Sequence, residues 1–379
     1  MDPKKKFFLF KFSKNFCSVP WNYFKIDVDG EVRTCVKGTQ RLGNINQQSI
    51  NEILSNSALR QIREELYQDK LPTNCEKCRE MDNSHETRYS FLRDMYNDWF
   101  QSVPVDYADP TAFHLSGLDL HWASTCNLKC VTCGPRQSSA IAAEMRMPIM
   151  QASKDKIDSA IDYCIQHQKG LKELYFSGGE PTLIKHNITL LENLEPRPDL
   201  LLRVNTNMTF DRNNRFMQRL KQFPRVLITM SADATHERFD YIRHGASWSQ
   251  FVDNLKFCQE QAWQLRINSV FFVASAWTLI ETQDFFRSEF AITDFTINQC
   301  EMNQYQLLCR NLPPAVKRKV REDILKSKSI YRDKNLNGQL ENCLKELAQD
   351  PNDQDYRQYF DDLDGRRAGN WRALFPELS

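Results

Sequence analysis

Cys126-Asn127-Leu128-Lys129-Cys130-Val131-Thr132-Cys133 is the stretch on which the fold turns. It follows a short apolar run at 118–122 that reads as a strand. Three thiols within eight residues can wrap one metal centre. Helical packing does not account for them: Cys130 and Cys133 could share a face, but Gly134-Pro135 breaks any helix there. Three cysteines fall one short of the four that close a cubane cluster. An iron with an open position can bind a substrate, as an open zinc site does; a zinc site with a remote fourth ligand is the alternative.

Outward from this loop, strand-like segments at 118–122, 171–176, 200–204, 226–230, 265–273 and 295–297 alternate with helical ones. Six β-then-α repeats imply a parallel sheet. They span fewer than the roughly 250 residues of a complete eight-fold barrel, so the expected fold is α/β, a partial (β/α)6 TIM-like barrel. Chemistry in such folds sits at the carboxyl ends of the strands. The first strand runs into the cysteine loop and the second ends in Ser177-Gly178-Gly179-Glu180-Pro181. The third ends in Asn205-Thr206-Asn207 and the fourth in Ser231-Ala232-Asp233. A lone Gly-Gly is usually a turn, but it also lets backbone approach a ligand.

Four more cysteines, Cys17, Cys35, Cys75 and Cys78, form a second set. Alternation around Asp29-Gly30 reads as a β-hairpin between Cys17 and Cys35. A helix with Leu59, Ile62 and Leu66 on one face leads through Pro72 to the Cys75-x-x-Cys78 knuckle. Four thiolates suit a structural zinc and an iron–sulfur cluster alike. Of the other five, Cys164, Cys258 and Cys343 lie on apolar helix faces and read as core packing. Cys300 and Cys309, in or near a loop, are expected to hold no cluster. Twelve cysteines in 379 residues are therefore not a disulfide framework, given a reducing compartment.

The formal net charge is +1, which gives no electrostatic grip on nucleic acid or anionic lipid. The apolar run Phe7-Phe8-Leu9-Phe10 is too short for a signal peptide, and no stretch approaches a membrane span. The protein is expected to be cytoplasmic, with neither nucleic acid nor membrane as partner.

Residues 117–300 resemble the core of the radical S-adenosylmethionine superfamily. The resemblance rests on the Cys126, Cys130, Cys133 spacing, on Gly178-Gly179-Glu180-Pro181, and on Ser231-x-Asp233 with His236 and Arg243 downstream. Thr132 departs from the aromatic residue that many members place before the third cysteine. The N-terminal set resembles a twitch domain, a shortened relative of the SPASM domain, here preceding the barrel rather than following it.

The resemblance implies a [4Fe-4S] cluster on Cys126, Cys130 and Cys133, with S-adenosylmethionine on its open iron. Gly178, Gly179 and Glu180 would contact the amino group of S-adenosylmethionine, Asn207 and Ser231 its ribose or carboxylate, and Arg243 its carboxylate. A second, auxiliary iron–sulfur cluster on Cys17, Cys35, Cys75 and Cys78 would serve electron transfer. The implied reaction is reductive cleavage to a 5′-deoxyadenosyl radical that takes hydrogen from a peptide or small-molecule substrate. An external one-electron reductant such as flavodoxin or ferredoxin would feed it. The alternatives are a small-metabolite dehydrogenase of the same superfamily with a structural N-terminal zinc, and a zinc-stapled interaction protein.

The expected domains are 1–110, the cysteine-rich α+β auxiliary-cluster domain; 111–300, the barrel; and 301–379, a C-terminal helical extension. In the last, Val316, Val320 and Ile324, then Leu340, Leu344 and Leu347, have helical spacing, and 333–338 reads as a loop between them. The closing Trp371–Leu374 segment with Phe375 is expected to pack rather than to meet substrate.

Overall fold

The computed structural model describes residues 2–76, 78–79, 91–300, 304–331 and 333–379, at 91 and 92 the backbone alone. The fold is mixed α/β around parallel strands, a partial TIM-like barrel with a helical C-terminal segment. Two compact units are distinguished. One comprises Met1–Cys126, Pro135–Asn205 and Asp211–Leu227; the other comprises Asn127–Gly134, Thr206–Phe210 and Ile228–Ser379.

In the first unit the strands are β1 (Tyr23–Ile26), β2 (Glu31–Arg33), β3 (Arg41–Asn44), β4 (Gly117–Leu120), β5 (Glu173–Phe176) and most of β6 (Leu201–Thr206). They lie in the order β3-β2-β1-β4-β5-β6. β1 and β2 form the expected antiparallel hairpin, turning at Gly30 with φ +84°. β1 also runs parallel beside β4, pairing Tyr23 with Gly117 and Ile26 with Leu120. The cysteine-flanked hairpin thus continues the barrel sheet. β3, which the sequence reading did not anticipate, pairs antiparallel with β2.

Alternation along these strands divides the sheet by chemistry. Phe24, Ile26, Leu118, Leu120, Leu174, Phe176, Leu202 and Val204 are fully buried on one face. Phe24 meets Tyr163 of the helix Lys154–Gln166, and Phe176 meets Phe216 of the helix Arg215–Leu220. Parallel strands usually read as continuous apolar runs, because both faces are covered. Here the alternate residues are polar: the register aligns Lys25, Asp119, Tyr175 and Arg203 across four adjacent strands.

The second unit carries most of β7 (Val226–Ser231), with β8 (Gln264–Phe271) and β9 (Phe295–Gln299). β8 and β9 are parallel, with Ile267 opposite Phe295. Helices Pro314–Ile330 and Lys334–Leu347 follow, burying Val316, Val320 and Ile324, then Leu336, Leu340 and Leu344. The loop expected at 333–338 is instead the start of the second helix. Asp333 caps it, accepting from the Leu336 amide at 2.8 Å, and Leu336 joins Leu340 on the buried face. Polar residues and Gly338 read as punctuation in sequence, but the cap and that face prevail. Trp371 and Phe375 are wholly buried against Phe360.

Candidate functional site

The cysteine loop passes from the first unit into the second immediately after Cys126. In the first unit, the Cys126 amide donates to Ser139 Oγ at 3.0 Å, and that hydroxyl donates to the Cys126 carbonyl, also at 3.0 Å. In the second unit, the loop backbone is held at several points. The Lys129 amide donates to the His244 carbonyl (2.9 Å) and Val131 to Ile242 (2.8 Å). Two residues of the helix Tyr356–Arg367 bind the same loop: Tyr359 Oη donates to the Val131 carbonyl (2.9 Å) and Arg367 to the Lys129 carbonyl (2.8 Å). The sequence reading missed both. The available signal was their separation by two helical turns, which places them near one face.

Arg243 lies beside Cys130, with Nη1 3.9 Å from Sγ. Its Nε stands 2.8 Å from Asp233 Oδ2, an ion pair with almost no solvent exposure. Cys130 is held down at about 7, foremost by its hydrogen bond with Cys133 and, against burial, by the Arg243 charge. A thiol poised to ionise suits ligation of iron, which takes thiolate. Asn207 is buried; its amide donates to Asn127 Oδ1 at 3.1 Å, and its own Oδ1 accepts from Thr209. Ser231 is buried at the end of β7.

Gly178 and Gly179 have φ +73° and +42°. A Cβ on Gly179 would lie 2.2 Å from the Thr125 carbonyl oxygen, so only glycine lets this turn reach the segment that leads to Cys126. The Glu180 amide donates to the same carbonyl at 2.7 Å. The Glu180 carboxylate is buried and bound to Thr182, accepting from its hydroxyl at 2.8 Å. Ser177 donates to the buried Asp119 at 2.6 Å.

Cys17, Cys35, Cys75 and Cys78 lie in the first unit and act on one another electrostatically. Cys17 is pushed well up, first by burial and then by Cys78, Cys35 and Cys75. Burial raises Cys75 to about 12, with Cys35 and Cys78 adding to it. Cys17 and Cys35 rest against Val19, Tyr23, Tyr96, Phe100 and Val103. Among the described residues, no three His, Cys, Asp or Glu side chains stand at metal-binding geometry. The fit to iron–sulfur clusters therefore rests on the donors: four electrostatically coupled thiols in one set, and three cysteines closely spaced in sequence in the other.

The remaining five thiols are buried. Cys309 is raised by burial, then by Cys343, Glu346 and Cys300, while burial alone raises Cys164 to about 12. Protonated enclosed thiols behave as small hydrophobes.

Residues 122–273 match the Radical SAM superfamily, and residues 17–79 match an iron–sulfur cluster-binding domain, SPASM. The first span holds Cys126, Cys130, Cys133, Gly178–Glu180 and Arg243; the second holds Cys17, Cys35, Cys75 and Cys78. These domains imply a [4Fe-4S] cluster with S-adenosylmethionine, and an auxiliary iron–sulfur cluster. No curated protein sequence matches the chain. Among solved structures, the chain is similar to hexahistidine-tagged anSMEcpe with bound AdoMet at 17% identity and TM-score 0.44, covering 60% of each chain. Similarity to Streptococcus suis SuiB bound to precursor peptide SuiA is 14%, with TM-score 0.41, over 81% of this chain and 68% of that one. TsrM from Kitasatospora setae, a radical S-adenosylmethionine methyltransferase, is 15% identical with TM-score 0.33, over 46% and 34%. The chain thus spans 60% of the length of the first of these structures. Among the described residues, no helix is long and apolar enough to cross a membrane.

Proposed function

Because the chain belongs to the radical S-adenosylmethionine superfamily, we propose that it generates a substrate radical by hydrogen abstraction from a peptide or small molecule. Cys126, Cys130 and Cys133 would hold a [4Fe-4S] cluster, which when reduced would supply the electron for cleavage of S-adenosylmethionine to methionine and a 5′-deoxyadenosyl radical. The observation that carries this reading is Cys130, buried and held toward its thiolate by Cys133 and Arg243 within the matched domain.

The chain's own residues position and insulate. Arg243, fixed by Asp233, places a positive charge at Cys130 Sγ and steadies the thiolate. Tyr359 and Arg367 fix the backbone of the cysteine loop. Gly178 and Gly179 bring main chain, without side chains, to the turn where the S-adenosylmethionine amino group is proposed to bind. Asn207 and Ser231, both buried at strand ends, are proposed for its ribose or carboxylate.

Cys17, Cys35, Cys75 and Cys78 are proposed to hold the auxiliary cluster. With four thiolates it leaves no open iron, which suits electron transfer with the substrate rather than substrate ligation. An external one-electron reductant such as flavodoxin or ferredoxin completes the reading. It implies three structural parts: the auxiliary-cluster region within 1–110, the barrel within 111–300 and the helical extension 301–379.

Anaerobic reconstitution followed by counting iron, sulfide and zinc tests this. About eight irons fit two cubanes, and about four remain when Cys75 and Cys78 are both changed to Ala. Four irons with one zinc would make the N-terminal site structural, and iron-free protein would remove the proposal. Normal turnover by the Cys75→Ala, Cys78→Ala variant would exclude the electron-transfer role.

A further inference from the structure

The polar face of the first unit's sheet culminates, just beyond β4, in His121. Its amide donates to the Ile26 carbonyl at 2.9 Å, fixing the ends of β1 and β4 against each other. Its ring packs on the Gly-Gly turn: a Cβ on Gly178 would lie 1.8 Å from Cδ2 and 2.6 Å from Nε2. Nδ1 stands 3.4 Å from Asp27 Oδ1, which the hairpin strand delivers. Nε2 is enclosed and has no hydrogen-bond partner among the described residues.

A buried ring nitrogen left without a partner forfeits the hydrogen bond it would make to water, and such atoms are rare enough to require an explanation. The surroundings define what is missing. The Asp27 carboxylate favours the proton on Nδ1, which leaves Nε2 as a lone pair, an acceptor. The charged groups around the ring are Lys25, Asp27, Asp29 and Arg136; burial first, then Lys25, holds the imidazole neutral, at about 4. Neither cation fills the acceptor: Lys25 Nζ is 3.5 Å from Asp27, and Arg136 bonds Asp29 at 2.8 Å. An enclosed acceptor of fixed orientation, unpartnered among the described residues, therefore lies against the turn that the proposed function assigns to ligand binding.

We propose that His121, oriented by Asp27, is a ligand-binding residue whose Nε2 accepts a hydrogen bond from an N–H or O–H of a molecule seated against Gly178. This rests on the radical S-adenosylmethionine reading for the identity of that molecule, which is either S-adenosylmethionine itself or the substrate. Asp27 is a positioning residue that acts through the ring.

The test uses 15N-histidine-labelled holoprotein with oxidised clusters, and the His121 signals among the seven histidines are assigned by their loss in His121→Gln. The ring is expected neutral with its proton on Nδ1, and Asp27→Asn should mix the tautomers. S-adenosylmethionine is added first, and then N-acetylglycinamide, an uncharged peptide-like donor, with S-adenosylmethionine present. A saturable shift of Nε2 in the first arm, with roughly 10-fold weaker S-adenosylmethionine binding by His121→Phe, identifies the cofactor as donor. A shift in the second arm alone, with that affinity unchanged, identifies the substrate. A ring protonated on Nε2 overturns the assignment, as does an Nε2 unmoved in both arms. The tautomer is read whether or not S-adenosylmethionine is cleaved, so a failure of the proposed function and a failure of this assignment are separate results.

Discussion

Replacing Arg243 by Gln cuts the ion pair behind the cysteine loop without changing side-chain bulk greatly. Arg243 and Asp233 retain only 9% and 0% of their side-chain exposure, and their charges meet at 2.8 Å. Removing one partner of a buried pair costs about 3–5 kcal/mol, because the other charge stays enclosed. Asp233 keeps the Val270 amide, which donates to Oδ1 at 2.7 Å, so the lower end, about 3 kcal/mol, applies here. With a urea dependence of about 3 kcal/mol per molar, the unfolding midpoint should fall by about 1 M. Equilibrium urea unfolding under anaerobic conditions, followed by circular dichroism, measures this. Asp233→Asn combined with Arg243→Gln should recover more than half of the loss, since no unpaired charge then remains. The reasoning is refuted if Arg243→Gln leaves the midpoint unchanged, or if the two substitutions simply add.

Gly179→Ala forces a methyl to 2.2 Å from a backbone oxygen at φ +42°, and should abolish S-adenosylmethionine binding in calorimetry while iron content persists. Tyr359→Phe removes one hydrogen bond to the cysteine loop and should cost about 1 kcal/mol in urea unfolding. Asp333→Ala removes a helix cap far along the chain from every cysteine proposed as a cluster ligand; it should cost about 1 kcal/mol of stability and leave iron content unchanged.

What the sequence disclosed was what local spacing encodes. The hairpin at Asp29-Gly30, the parallel strands and the buried faces of the C-terminal helices follow from period and turn chemistry. The positive φ of Gly178 and Gly179 gives their pairing a steric reason that sequence could only suggest. The cross-strand relationships were not legible. Nothing local announces that β1 lies beside β4, and so nothing brings Asp27 to His121. Tyr359 and Arg367 drew no assignment from the sequence, because the loop they grip lies more than 200 positions earlier. At 333–338 the composition favoured a loop, yet one capping carboxylate and one buried leucine were enough for a helix.

The measurement closest to the central claim is release of 5′-deoxyadenosine from S-adenosylmethionine by anaerobically reconstituted protein with a strong reductant. Wild-type protein should release it, and the variant with Cys126, Cys130 and Cys133 all changed to Ala should release none while still retaining iron at the N-terminal cysteines. Equal release by the two proteins, or none from iron-loaded wild type, would contradict the account.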